Sequence, residues 1–263
     1  MPRRPIRVSP TALRRYQACP QSFLWADLER RPREYDISPR LAVGNAVHAA
    51  LERFFGLPED DRTLDVLHRA LRSVWPACRD RAGFQDRAEE AAWGRHALGL
   101  LDSFGSTFGL NGTPIARERW LRTWVSGIAI SAKVDRLDLA SSGGLEMIDY
   151  KTGRCRLRAA DLASDPAAWI VLLAVPHTFK KRVAAVRYLF LADATEVVWS
   201  PTSADVKTAI HRLEQLVAEI VNPATTFEAT PGDYCRLCPF APVCPDRDRV
   251  RLEELVVSAE VPF

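Results

Sequence analysis

Four cysteines at opposite ends of the chain constrain its fold more than any other feature. Cys235, Cys238 and Cys244 form a C-x2-C-x5-C pattern, and Cys19 is the natural fourth thiolate. Four thiolates fit either structural zinc or an iron–sulfur cluster. A metal centre held by all four would close a loop from residue 19 to residue 235, so the two ends of the fold must lie together.

The cellular compartment decides whether such cysteines form disulfides or bind metal. The first residues, MPRRPIRVSP, lack the apolar middle of a signal peptide, and no apolar run approaches the roughly 20 residues that span a bilayer. We therefore expect a cytoplasmic protein without membrane association, whose clustered cysteines bind metal. Proline follows Cys19, Cys238 and Cys244, as in ferredoxin-type runs, so we favour a [4Fe–4S] cluster over the alternative of zinc. Cys78 and Cys155 are interpreted as ordinary small residues.

Length and composition predict one domain with a substantial core. The chain has 263 residues, of which 47% are hydrophobic, so we expect a single domain over residues 1–263. Residues 58–112 are predicted to be a helical insertion, and residues 226–250 a segment that binds the cluster. Only five of the 36 basic residues are lysine, and the planar guanidinium of arginine suits phosphate, although a GC-rich genome would produce the same bias.

The periodicity of apolar residues predicts an α/β fold. Caps and apolar stripes indicate helices, and the alternating segments between them indicate strands, the first three forming an antiparallel group. Helices are predicted from residue 10 with a break near Pro20, over 38–56, over 157–179 and over 201–221, and strands within 115–153, 182–193 and 195–200.

The segment MIDYKTG, residues 147–153, places charged side chains at the end of a buried strand. If the hairpin before it folds symmetrically about Ser142, Asp135 lies opposite Asp149 with Cβ atoms about 4.5–5.5 Å apart. Two such carboxylates need a cation between them, and oxygen ligands suit Mg²⁺ or Mn²⁺. Lys151 projects from the same face and could orient or help to deprotonate an attacking water. The alternative is a surface hairpin whose Asp and Lys are solvated.

His48 on the helix over residues 38–56 is a further candidate metal ligand. Glu52 lies one turn later and could accept a hydrogen bond from the imidazole, which would fix its tautomer. A simple pair on the helix surface is the alternative.

Taken in order, five fragments resemble the RecB-type nucleases of the PD-(D/E)XK superfamily. The resemblance is to the branch with an iron–sulfur clasp, which includes the AddB nuclease domain and the CRISPR-associated spacer-acquisition nucleases. It implies a restriction-endonuclease-like core, with a central mixed sheet flanked by helices and a four-cysteine clasp. The fragments are SPTALRRYQACPQSF, GNAVHAALERFF, VDRLD, IDYKTG and YCRLCPFAPVC.

The resemblance implies metal-dependent hydrolysis of phosphodiester bonds in DNA. The expected enzyme is an exonuclease that acts on single strands or DNA ends in repair or recombination. By the same comparison His48, Asp135, Asp149 and the carbonyl of Tyr150 bind Mg²⁺ or Mn²⁺, and Lys151 assists the attacking water.

One departure from the family pattern lies on the helix that follows the Asp-x-Lys strand. Members usually carry Gln-x-x-x-Tyr there to position DNA, but Ala168 and Leu172 occupy those places. Trp169, Lys180 or Lys181 could substitute through stacking or phosphate contacts, although Trp169 also fits a core position. The alternative function is a catalytically weakened iron–sulfur subunit that binds DNA, or a partner such as a helicase or CRISPR adaptation proteins.

Overall fold

A mixed β-sheet forms the centre of the molecule. The computed structural model describes residues 7–32, 38–80 and 82–246, so the ends of the predicted 1–263 domain and residues 247–250 of the predicted cluster segment lie outside it. The strands are β1 (Arg7–Val8), β2 (Pro114–Val125), β3 (Ile128–Leu139), β4 (Leu145–Lys151), β5 (Val183–Phe190) and β6 (Thr195–Trp199). The helices are α1 (Pro10–Ala18), α2 (Pro20–Phe23), α3 (Pro39–Phe54), α4 (Leu64–Arg79), α5 (Arg87–Thr107), α6 (Ala159–Leu162), α7 (Pro166–Phe179) and α8 (Ser203–Val221).

The topology of the sheet confirms the expected α/β fold with a mixed sheet flanked by helices. Strands β2, β3 and β4 are antiparallel neighbours, β4 and β5 are parallel, and β5 and β6 are antiparallel. The short β1 pairs in parallel with β3 at Ala129 and Ile130. Among the described helices, none is long and apolar enough to cross a membrane.

Two apolar clusters lie on the two faces of the sheet. The first combines the inward side chains of β2 to β5 with α1, α7 and α8, and helix α7 is buried from Pro166 to Val175. The second combines Ile148, Tyr150 and Leu189 with α3, α4 and α5. Alternate residues of β4 therefore face different helical layers, as a strand buried on both faces requires.

The register of the β3–β4 hairpin in the structure agrees with the predicted symmetry. Arg136 lies opposite Ile148, and Leu137 lies opposite Met147. Beyond this point the backbone pairing of β3 with β4 ends, and Asp135 Oδ2 instead accepts a hydrogen bond of 2.9 Å from the Tyr150 N–H. A side chain thus takes the place of a backbone acceptor where the two strands part.

Helix boundaries follow local capping chemistry. Helix α1 begins after the Ser9 cap and ends before Cys19, and α2 begins at Pro20, so the predicted break is confirmed. The single helix predicted over 157–179 is wrong, because the chain forms α6 and α7 with a break between them. The Asp165 carboxylate accepts from the N–H of Ala167 and restarts the helix with Pro166 in its first turn.

Glycine is required at position 112 because of a buried ion pair. Gly112 has φ +155°, and an added Cβ would lie 2.8 Å from Asp138 Oδ2 and 3.1 Å from Arg136 Nη2, the pair that supports Tyr150. We expect Gly112→Ala to lower the free energy of unfolding by about 1–3 kcal/mol in urea titrations. Gly83→Ala, whose Cβ meets nothing within 4 Å, is the matched control, and equal losses for both variants would contradict this account.

Candidate metal centre

The point where β3 and β4 part collects charged side chains from four elements. Helix α3 contributes an imidazole, β2 and β3 each contribute a carboxylate, and β4 contributes a carboxylate and an ammonium group. These residues are His48, Glu118, Asp135, Asp149 and Lys151. The structure therefore brings together the predicted His48, Asp135, Asp149 and Lys151, and adds Glu118.

Both ring nitrogens of His48 have partners at this centre. Nε2 donates to the carbonyl oxygen of Tyr150 at 2.9 Å, and Nδ1 lies 3.4 Å from both Glu118 Oε1 and Asp135 Oδ2. The prediction that Glu52 accepts from this ring is wrong. Glu52 is exposed on α3, and its charge acts on Lys133. The carboxylate that reaches the imidazole is that of Glu118 on β2.

Glu118 reaches the centre through a local distortion of β2. Its φ of +42° is a left-handed conformation that is uncommon for a residue other than glycine. On one side of it Arg117 donates to the carbonyl of Phe55, and on the other Arg119 lies over the ring of Phe179 on α7. The alternation of the strand is broken at Glu118, which is why a regular strand pattern did not single it out.

The titration of the centre reflects buried charges of opposite sign. Burial disfavours the charged imidazole, but its hydrogen bonds with Asp135 and Glu118 outweigh burial and raise the pKa of His48 to about 10. Burial also opposes ionisation of Asp135, yet His48 keeps the pKa of Asp135 below its usual value. Burial, with the nearby charge of Asp135, raises the pKa of Asp149. Carboxylates in this state are stabilised by a cation beside them.

Lys151 lies between the carboxylate of Asp149 and the ring of Tyr188. Its Nζ is 2.6 Å from Asp149 Oδ1 and 4.7 Å from the centre of the Tyr188 ring. The Tyr188 hydroxyl donates to Asp165 at 2.7 Å, and the Arg14 guanidinium donates to both oxygens of Asp165 at 2.6 Å. A second cation is thus anchored at the rim of the centre, with a side chain that is 46% exposed.

The residues predicted to replace the missing Gln-x-x-x-Tyr element do not line the centre. Trp169 is only 6% exposed, and its Nε1 donates to the carbonyl of Ala163, so the proposed base stacking by Trp169 is wrong. Lys181 lies beside Gly143 at the opposite end of β4, at least about 13 Å along the strand from Asp149. Lys180 ends α7 at the same edge, so neither lysine adjoins the carboxylates.

Helix α7 carries the two positions at which the Gln-x-x-x-Tyr element was expected. Ala168 and Leu172 occupy its two positions and are buried in the first apolar cluster. The polar groups nearest Lys151 and Asp149 on this side come from Tyr188, Asp165 and Arg14 instead.

Cys19, at the C-terminal end of α1, meets the three cysteines of the C-terminal region at a pocket. Trp25 and Phe240 pack edge to face in its wall. The backbone N–H of Ser22 donates to Cys19 Sγ at 3.4 Å, and that of Gly232 donates to Cys235 Sγ at 3.4 Å. The four thiols that line the pocket are those of Cys19, Cys235, Cys238 and Cys244.

Comparison with known proteins identifies a family. Residues 7–245 match the model of the PD-(D/E)XK nuclease superfamily. The crystal structure of a proposed exonuclease from Eubacterium rectale resembles the chain with a TM-score of 0.54 at 9% identity, covering 97% of this chain and 94% of that one. The structure of SSO0001 is 16% identical with a TM-score of 0.34, covering 90% and 95%. No curated protein matches the sequence significantly.

Proposed function

Because the chain belongs to the PD-(D/E)XK nuclease superfamily, we propose that it is a metal-dependent DNA exonuclease that acts on single strands or DNA ends in repair or recombination. The observation that carries the proposal is the grouping of His48, Glu118 and Asp135, whose ligand atoms all lie within 4.8 Å of one another. Lys151 and Asp149 lie next to this group on β4.

The donor set fits a small divalent cation. One imidazole, carboxylates from three strands and the carbonyl of Tyr150 suit Mg²⁺ or Mn²⁺, which prefer oxygen ligands. We propose that His48, Asp135, Asp149 and Tyr150 hold the ion, with Glu118 as an additional ligand. When bound, the ion polarises a phosphoryl oxygen and makes water a better nucleophile at neutral pH.

The remaining polar groups position the substrate. Lys151 carries its charge beside Asp149, where its N–H groups orient the attacking water and neutralise charge on the scissile phosphate. Arg14 is oriented by Asp165, which accepts from Nε and Nη2, and its Nη1 remains to donate to a neighbouring phosphate. Positioning by fixed charges of this kind supports hydrolysis without a covalent step on the protein.

The exonuclease assignment is tested with DNA that differs only in its ends. With Mn²⁺, linear single strands labelled at either end should be degraded, whereas a circular single strand of the same sequence should survive. The label released first gives the polarity, and blocked ends should protect. If circular strands are cut as fast as linear strands, the protein is an endonuclease and the exonuclease assignment is wrong.

Glu118→Gln is expected to weaken Mn²⁺ binding about 10- to 100-fold in calorimetric titrations. The amide keeps the shape of the side chain but removes a charged ligand beside the imidazole and Asp135. Glu52→Gln is the matched control on the exposed side of α3 and should bind Mn²⁺ like the wild type. Unchanged binding by Glu118→Gln would remove this residue from the ligand set.

We also propose that the four-cysteine pocket holds a [4Fe–4S] cluster as a structural clasp, with zinc as the alternative. The N–H donors to Cys19 and Cys235 suit thiolate ligands, and the Trp25–Phe240 wall shields the site. A cluster bound to both Cys19 and Cys235 restricts the unfolded chain, so its expected role is to stabilise the fold.

A second candidate is a catalytically weakened subunit that binds DNA or a partner, such as a helicase or CRISPR adaptation proteins. The observation in its favour is the burial of apolar Ala168 and Leu172 where the family guides DNA. Tight DNA binding by the wild type without cleavage of any DNA form in Mn²⁺ would favour this candidate.

A further inference from the structure

An exposed row of aromatic and basic side chains lies on β2, outside the carboxylate centre. Trp120 is 55% exposed and Trp124 is 54% exposed, and Arg122 between them lies with its guanidinium carbon 5.8 Å from the Trp120 ring centre. We call Trp120, Arg122 and Trp124 the tryptophan strip. Two tryptophans left this open are uncommon unless they contact another molecule.

The strip lies on one face of the β2–β3 ribbon, and the other face is covered. Leu121 and Val125, which alternate with the strip, are buried in the first apolar cluster with α7. Across from the strip, β3 offers only the small residues Ala129 and Ser131 opposite Trp124 and Arg122, and both are buried. At these two positions the strip therefore has only small neighbours across the ribbon.

The strip leads directly into the carboxylate centre. Trp120 is paired across the ribbon with Lys133, and the Lys133 ammonium forms an ion pair with Glu118. Glu118 in turn contacts His48. Trp120 is two residues from Glu118 and Trp124 is six, so the strip extends roughly 20 Å outward from the centre at about 3.3 Å per residue.

We propose that the tryptophan strip binds single-stranded DNA and guides it into the metal centre. Exposed aromatic faces stack on bases of any sequence, and interleaved cations contact phosphates, which is the chemistry of single-strand platforms. Arg122 places a positive charge between the two indole rings, and this charge complements the backbone of DNA. This route replaces the guidance that buried Ala168 and Leu172 do not provide.

The inference rests on the proposed nuclease function, so binding and cleavage are measured separately. Anisotropy of fluorescein-labelled oligo(dT) in EDTA reports binding by the full chain without cleavage. Replacing both strip tryptophans by leucine keeps apolar surface but removes the aromatic faces, and should raise Kd roughly 25-fold or more, about fivefold for each ring. The matching double phenylalanine variant should stay within about threefold of the wild type.

Two further variants test the phosphate contact of Arg122 and the location of the DNA-binding surface. Arg122→Gln should reduce the slope of log Kd against log salt concentration by about 0.7, as expected for one lost phosphate contact with a single strand. Leu139→Ala removes an exposed apolar side chain at the far end of β3 and should leave Kd unchanged.

The outcomes distinguish this inference from the nuclease proposal. A wild type that binds oligo(dT) through the strip but cleaves nothing in Mn²⁺ would overturn the nuclease function and leave the strip intact. A double leucine variant that binds like the wild type would overturn the strip, whatever its cleavage rate. If the wild type is a dimer that Trp120→Ser dissociates while DNA binding is unchanged, the strip is a protein contact surface and the proposed DNA-binding role is wrong.

Discussion

Replacing Lys151 with methionine is expected to lower the rate of DNA cleavage about 10²- to 10⁴-fold at saturating Mn²⁺. Methionine keeps the length of the side chain but removes the charge that lies 2.6 Å from Asp149 and faces the Tyr188 ring. Losing one preorganised charge at a phosphoryl group has an effect of this size when it acts mainly in the transition state. The rate is measured in single turnovers on end-labelled single strands, where product release does not contribute.

A matched lysine separates this effect from general loss of positive charge. Lys181→Met removes an exposed lysine at the far end of β4 and should change the single-turnover rate less than about threefold, because Lys181 lies beside Gly143. Calorimetry should show that Lys151→Met still binds Mn²⁺. If Lys151→Met cleaves DNA as fast as Lys181→Met, the catalytic role assigned to Lys151 is wrong.

Cys235→Ser is expected to abolish binding of the proposed cluster and to lower the free energy of unfolding by about 5 kcal/mol. A cross-link that closes a loop as long as that from residue 19 to residue 235 removes about this much chain entropy from the unfolded state. Anaerobically purified wild type should be coloured and contain iron and sulfide. The variant should be colourless and should unfold at a lower temperature.

Cys155→Ser is the control for this experiment. Its thiol donates to the carbonyl of Leu157 and does not line the four-cysteine pocket, so colour, iron content and melting temperature should match the wild type. If the wild type is colourless and contains stoichiometric zinc, the four cysteines hold zinc and not an iron–sulfur cluster. Equal stability of the two serine variants would contradict the clasp itself.

Local chemistry in the sequence predicted much of the fold. The SSGG turn and the assumption of symmetry about Ser142 predict one register for the β3–β4 hairpin, and the structure has this register. The break before Pro20 was equally accessible from the sequence, since a proline cannot continue a helix without losing a hydrogen bond. Asp165 and Pro166 mark the start of α7 in a similar way, but the long apolar run that follows them favoured the prediction of a single helix.

The parts of the site that were missed depend on tertiary geometry. Glu118 lies between arginines on a strand, where a regular alternation gives it no special role, and only its positive φ directs it to His48. Glu52 has the correct spacing on α3 but lies on its exposed side. Trp169 and Lys181 follow β4 in sequence, yet Trp169 packs in the core and Lys181 lies beside Gly143 at the opposite end of β4.

We expect one metal centre, built from His48, Asp135 and Asp149, to hydrolyse DNA. Wild type and Asp149→Asn, purified identically, are compared on end-labelled single-stranded DNA with Mn²⁺ and with EDTA. Wild type should cleave only with Mn²⁺, and Asp149→Asn should cleave at least about 10³-fold more slowly. Equal cleavage by the two proteins, or cleavage that persists in EDTA, would contradict this expectation.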